Sequence, residues 1–154
     1  MRPIRFADDR ARADAVRDLG AILAAMFRRS PLFAIKDPRS CRLVEVWREA
    51  LGAAGVSMKV VIPVRHPLEV AQSLATRDRF PLEKGLALWA RHLLDALRGT
   101  RGLPRTIVRY QDLLADGPRE IERIGAAIGL PWPVPAADRA ARLANLIVPD
   151  LRHH

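Results

Sequence analysis

Val61-Ile62-Pro63-Val64-Arg65-His66-Pro67-Leu68-Glu69-Val70-Ala71-Gln72-Ser73-Leu74-Ala75-Thr76-Arg77 is the stretch that decides how this chain is read. It ends an apolar run rich in β-branched residues, the composition of a buried strand. His66-Pro67 then opens a helical pattern, and proline suits the first helical position because its missing N–H would have no intrahelical partner. With Pro67 at that position, Ser73 and Arg77 lie four residues apart and share a helix face. Arg65 stands at the strand end, beside the start of the same helix. Two guanidiniums and a hydroxyl near a helix N-terminus make a favourable place for an anion.

Working outward, residues 8–29 read as a helix capped by Asp8 or Asp9, with Val16, Leu19, Leu23, Met26 and Phe27 facing inward. Pro31 ends it, and Leu32 to Lys36 reads as a short buried strand. Ser40 is placed to cap the next helix, whose stripe is Leu43, Val46, Trp47 and Leu51 and which Gly52 and Gly55 stop. Val56 to Val64 is the clearest strand, with Pro63 marking the end of its ladder or an edge. Helices follow from Pro67 to Asp78, and then along Leu82, Leu86, Trp89, Leu93 and Leu97. Thr106 to Tyr110 reads as a third strand, Pro118 to Ile128 as a helix, and 131–154 as a turn and C-terminal helix running from Ala136 to Ile147. Strands alternating with helices predict an α/β fold with a small parallel sheet flanked by helices. A sheet of three strands has an open edge where another chain can pair, so self-association is expected.

The chain has 154 residues, enough for a single domain with a real core. It holds no apolar span of membrane-crossing length, so no membrane association is expected. A single cysteine, Cys41, excludes an internal disulfide and a cysteine-rich metal site, so no metal is expected; Cys41 itself reads as a buried small hydrophobe in a reducing, cytoplasmic setting. The formal charge is +9, and only three of the 26 basic residues are lysine (Lys36, Lys59, Lys84). The arginines are spread along the chain without interleaved aromatics, which argues against nucleic acid as the partner. A basic surface also suits a doubly phosphorylated nucleotide.

The Arg65–Arg77 segment resembles the 3′-phosphate-binding strand–turn–helix of the sulfotransferases that use 3′-phosphoadenosine 5′-phosphosulfate (PAPS). There, an arginine at the strand end and a serine eight residues later hold the 3′-phosphate. In tyrosylprotein-type members a second arginine follows four residues after the serine. Arg65, Ser73 and Arg77 match those spacings; where the family usually reads Arg-Asp-Pro, this chain has His66. Phe33-Ala34-Ile35-Lys36-Asp37-Pro38-Arg39 is similar to the Lys-Asp-Pro strand end of the bacterial and tyrosylprotein enzymes. Thr106 to Leu114 resembles their Tyr-Glu-Asp-Leu segment. The three matches occur in family order across roughly residues 30–130.

The resemblance implies a partial P-loop-NTPase-like sulfotransferase fold. It implies PAPS as co-substrate and transfer of its sulfuryl group to a hydroxyl or amine on a carbohydrate, lipid, small molecule or protein. Lys36 would supply a catalytic cation, while Arg65, Ser73, Arg77 and Tyr110 would bind the nucleotide. Four of them have an ordinary alternative: Lys36 pairing with Asp37, Arg65 pairing with Glu69, Arg77 in a solvated cluster with Asp78 and Arg79, and Tyr110 as a half-buried strand-end aromatic. His92, Trp47 and Trp89 read as structural. No Gly-rich loop of the G-x-x-x-x-G-K-[ST] or G-x-G-x-x-G kind is present, and no His or Glu precedes Lys36. The expectation is therefore an N-terminally truncated sulfotransferase-like domain: a fragment, the product of a misplaced start, or a degenerate homologue. In the last case it would be a 3′-phosphoadenosine-binding module without turnover.

Overall fold

A computed structural model of the chain describes residues 6–146. Met1-Arg2-Pro3, Ile147 and the His153-His154 tail lie outside the described residues. Among those described, the fold is α/β, with seven α-helices and one two-stranded parallel sheet. The backbone divides into two compact units, residues 6–58 with 94–101 and residues 59–93 with 102–146.

The first unit is helical. Asp8 caps α1 (Asp9–Phe27), its carboxylate accepting from the Ala11 N–H at 2.7 Å. Leu23 of α1 packs with Ala50 and Leu51 of α2 (Val44–Ala53), surrounded by Val16, Leu19, Phe27, Phe33, Trp47, Val56 and Met58. Phe27 and Phe33 stack with ring centroids 4.3 Å apart. Met26, expected inside, is 67% exposed. At about 100° per residue it lies at the margin of the stripe, between Leu19 and the exposed Ile22.

Two local expectations fail here for identifiable reasons. Leu32–Lys36 forms no strand: it has no ladder partner, is bracketed by Pro31 and the Asp37-Pro38 step, and Ile35 is exposed. Ser40 caps nothing, because the helical turn begins two residues earlier, at Pro38. Asp37 accepts from the Arg39 N–H at 2.8 Å with Pro38 in the first position, which nucleates a 3₁₀ turn over Pro38–Arg42 and leaves Ser40 inside it. Beyond α2, Gly55 adopts φ +68° and the Val56 N–H returns to the Leu51 carbonyl at 2.9 Å. Val56 is thus spent on closing the helix, and the following strand starts later than its apolar run suggests.

The second unit holds the sheet. β1 (Val60–Val64) and β2 (Arg105–Arg109) run parallel in register Val60↔Arg105 through Val64↔Arg109. The connection between them passes through α3 (Pro67–Asp78) and α4 (Leu82–Gly99), the last residues of α4 belonging to the first unit. β2 is followed by α5 (Tyr110–Ala115), α6 (Gly117–Ile128) and α7 (Ala136–Leu146). Val108, Ile124 and Ile128 are the core, closed by Leu113, Ile121, Leu130 and Trp132. Asp116 caps α6 through the Arg119 N–H at 3.0 Å, and Gly129 ends it at φ +58°. Lys59, just before β1, donates to the last carbonyls of α6, Ile128 (2.6 Å) and Gly129 (2.7 Å). The ammonium thus meets the negative end of the helix dipole.

The sheet edges are partly blunted. The Val60 N–H bonds the Pro104 carbonyl, so Ile107 turns its carbonyl to the open side of β2. Arg123 covers that carbonyl at 2.7 Å while also bonding Thr106 Oγ1 and Glu120. On the open side of β1, Pro63 has no N–H to offer.

Candidate functional site

Arg65 and Tyr110 are the residues that follow the last register pair, Val64↔Arg109, so both lie at the carboxyl edge of the sheet. The Arg65 guanidinium carbon stands 5.2 Å from the centroid of the Tyr110 ring, within cation–π range. Tyr110 does not end the strand as expected; it is the first residue of α5, because the ladder stops at Arg109 and the Tyr110–Ala115 turn winds up immediately.

Contacts on several sides fix Arg65. Its Nε–H donates to Glu69 Oε2 at 2.6 Å, its face lies against Tyr110, and its backbone carbonyl accepts from the Trp89 indole N–H at 3.0 Å. The pairing with Glu69 is the ordinary alternative named for Arg65, and it is realised. Trp89, expected to pack only, thus also anchors the strand end. The signal for more was its N–H, since a half-buried indole donor usually finds an acceptor.

α3 begins directly after Arg65. His66 occupies its N-cap position without a side-chain cap bond, and Pro67 follows in the first turn. The orientation of the helix is set from behind: Ala71 is fully buried and abuts Gly85 of α4. Ser73 lies half-buried two residues beyond Ala71.

Arg77, four residues beyond Ser73, is exposed and engaged elsewhere. Its Nη2 donates to Asp78 Oδ2 at 2.7 Å and its Nε bonds both carboxylate oxygens at 3.1 Å. That hydrogen-bonded guanidinium holds the Asp78 carboxyl below the usual carboxylate range. Arg79 adopts φ +54° at the helix end, and the Lys84 ammonium sits 3.5 Å from the centroid of the Phe80 ring.

Lys36 belongs to the first unit and is exposed. The expected alternative partner, Asp37, is taken by Arg39, whose Nη2 and Nε bond its carboxylate at 2.6 and 3.0 Å. Those bonds, with the backbone N–H of Arg39, hold the Asp37 carboxyl down at about 2. Cys41, expected to be buried, is half-buried; its thiol lies 3.1 Å from the Pro38 carbonyl, and burial pushes its pKa up.

The structure therefore brings together Arg65, Tyr110 and the start of α3, keeps Ser73 on that helix, and gives Arg77 to Asp78. A concavity of about 480 Å³ in the first unit is lined by Asp8, Arg12, Cys41, Arg42 and Glu45 among others, and one of about 260 Å³ in the second lies between the α5–α6 corner and α7. Neither is lined by any of the five predicted site residues. Among the described residues no cluster of His, Cys, Asp and Glu has the makings of a metal site, and no helix is long and apolar enough to cross a membrane. Comparison with protein-family models, with curated proteins and with solved structures gives no match to the chain.

Proposed function

We propose that the carboxyl edge of β1 and β2 binds the 3′-phosphate of PAPS. On this reading the protein is a sulfotransferase of partial P-loop-like fold, acting on a hydroxyl or amine acceptor. The observation that carries it is the meeting of Arg65 with Tyr110 beside the start of α3. Two residues from separate stretches of the sequence, both named by the same resemblance, share the sheet edge where open α/β folds bind ligands. The donor set fits a phosphate: a planar guanidinium for paired hydrogen bonds, the backbone N–H groups of the first turn of α3, and the Ser73 hydroxyl further along.

Transfer forms a bond from acceptor oxygen or nitrogen to sulfur, breaks the sulfur–oxygen bond to the 5′-phosphate, and releases the acceptor proton to solvent. The chain contributes positioning and charge neutralisation, as in phosphoryl transfer. Arg65 anchors the nucleotide, the Tyr110 ring supports Arg65, and Arg77 reaches the ligand after releasing Asp78. Lys36 is the cation assigned to the leaving phosphate. The single cysteine accords with a reducing, cytoplasmic compartment.

A nucleotide-binding module without turnover is the second reading. It is favoured by the place of Lys36 on an exposed segment that joins no sheet. Incubation with PAPS labelled in its sulfuryl group and a panel of hydroxyl and amine acceptors separates the two. Label should pass to an acceptor, and Lys36→Ala should lower that rate about 100-fold or more while nucleotide affinity stays within about threefold. Binding with no transfer to any acceptor would leave only the binding module.

A further inference from the structure

The carboxylate on Arg65 is chemically out of place for a simple phosphate site. Glu69 Oε2 holds the Arg65 Nε–H at 2.6 Å, and Glu69 stands one helical turn before Ser73 on the same face of α3. A dianion bound between Arg65 and Ser73 would meet this carboxylate directly. Two opposed anions at such a site are tolerated when one of them carries a proton to share. A phosphate monoester has a second pKa near 6 and offers that proton. A sulfate ester is fully ionised in the same range and has none.

We infer that Glu69 is a specificity-determining residue that makes the Arg65–Ser73 site accept a phosphoryl group and reject a sulfuryl group. The inference rests on the 3′-phosphate reading above. It matters for that reading because a donor such as PAPS carries both kinds of group, and only one orientation is productive. Arg65 bonds the oxygens of either group. Glu69 accepts only, so it rewards the P–O–H of a monoprotonated phosphate and is left facing an unprotonated oxygen when a sulfate sits there. Its own hold on Arg65 keeps the guanidinium turned to one side, with Tyr110 behind it, so the carboxylate both sets the cation and reads its ligand.

The test uses two nucleotides that differ at one group, adenosine 3′-monophosphate and adenosine 3′-sulfate. Each is titrated calorimetrically at about pH 6, where roughly half of a phosphate monoester is monoprotonated. The wild-type chain should bind the 3′-phosphate about tenfold or more tightly than the 3′-sulfate. In Glu69→Gln the ratio should fall to about two or below, mainly through a gain in sulfate affinity, because glutamine supplies an N–H to the unprotonated oxygen. If Glu69 merely repelled anions, the substitution would relieve the more highly charged phosphate most and the ratio would rise. A rise or no change overturns the inference. Equal binding of both nucleotides by the wild type also overturns it while leaving the anion site standing. Binding of neither nucleotide overturns both the inference and the site. The Glu69 side chain is 42% exposed, and thermal melting by circular dichroism should show Glu69→Gln folded as the wild type is.

Discussion

Arg65→Ala is expected to weaken binding of adenosine 3′,5′-bisphosphate about 100-fold. A hydrogen bond to a charged group contributes about 1.5–3 kcal/mol, and each 1.4 kcal/mol is a factor of ten in affinity. The alanine removes those bonds and leaves the Glu69 carboxylate beside the ligand without its counter-ion, so the loss belongs at the upper end of that range. Fold stability should fall by only about 1–2 kcal/mol, since the partly exposed pair with Glu69 and the cation–π contact with Tyr110 each contribute about 1 kcal/mol or less. Arg65→Lys restores the charge without the planar fork and should recover only part of the affinity. Calorimetric titration of the three chains measures this. Equal affinities for wild type and Arg65→Ala would remove Arg65 from the site.

The second large effect falls on stability. A Cβ at Gly85 would stand 2.8 Å from the Ala71 Cα and 2.9 Å from its Cβ, with the Ala71 carbonyl at 3.3 Å. Those atoms belong to the backbone of α3 and its shortest side chain, so no flexible group can move aside. Glycine inside a helix costs about 1 kcal/mol relative to alanine, which would favour Gly85→Ala on propensity alone. Overpacking typically costs about 1–3 kcal/mol, so the steric effect should prevail. Gly85→Ala is expected to destabilise modestly and Gly85→Val by about 3 kcal/mol or more, read as a lower urea midpoint at unchanged slope. Because α3 carries Ser73 and begins beside Arg65, any surviving folded Gly85→Val should also lose nucleotide affinity. A stabilised Gly85→Ala would contradict the close approach of α3 and α4.

Much of this architecture was legible because its signals are local. Asp8 announces α1, Pro67 opens α3, and the alternation of β-branched runs with helical stripes implies parallel pairing; each depends on residues a few positions apart. What escaped the sequence depends on partners. Leu32–Lys36 has the composition of a strand, but a strand exists only when another lies beside it. Ser40 has the chemistry of a cap, but Asp37-Pro38 outcompetes it from three residues upstream. Tyr110 sits where a ladder ends, and whether the chain then extends or winds is decided by that ladder.

The site divides in the same way. The spacing of Arg65 and Ser73 and the pairing of Arg65 with Glu69 follow from a helix read correctly. The ring of Tyr110 behind Arg65 and the indole of Trp89 on its carbonyl depend on the β1–β2 register and on α4. The capture of Arg77 by its neighbour Asp78 was named as an alternative, and only atomic geometry could choose it.

The central claim is that this chain recognises a 3′-phosphate, and it is tested most directly with the unaltered protein and two commercial nucleotides. Adenosine 3′,5′-bisphosphate and adenosine 5′-monophosphate differ only in the group assigned to Arg65 and Ser73. Calorimetry should find the bisphosphate bound about 100-fold more tightly, the ratio that the charged hydrogen bonds of one phosphate predict. Equal affinity for the two, or no binding of either by folded protein, would contradict the account.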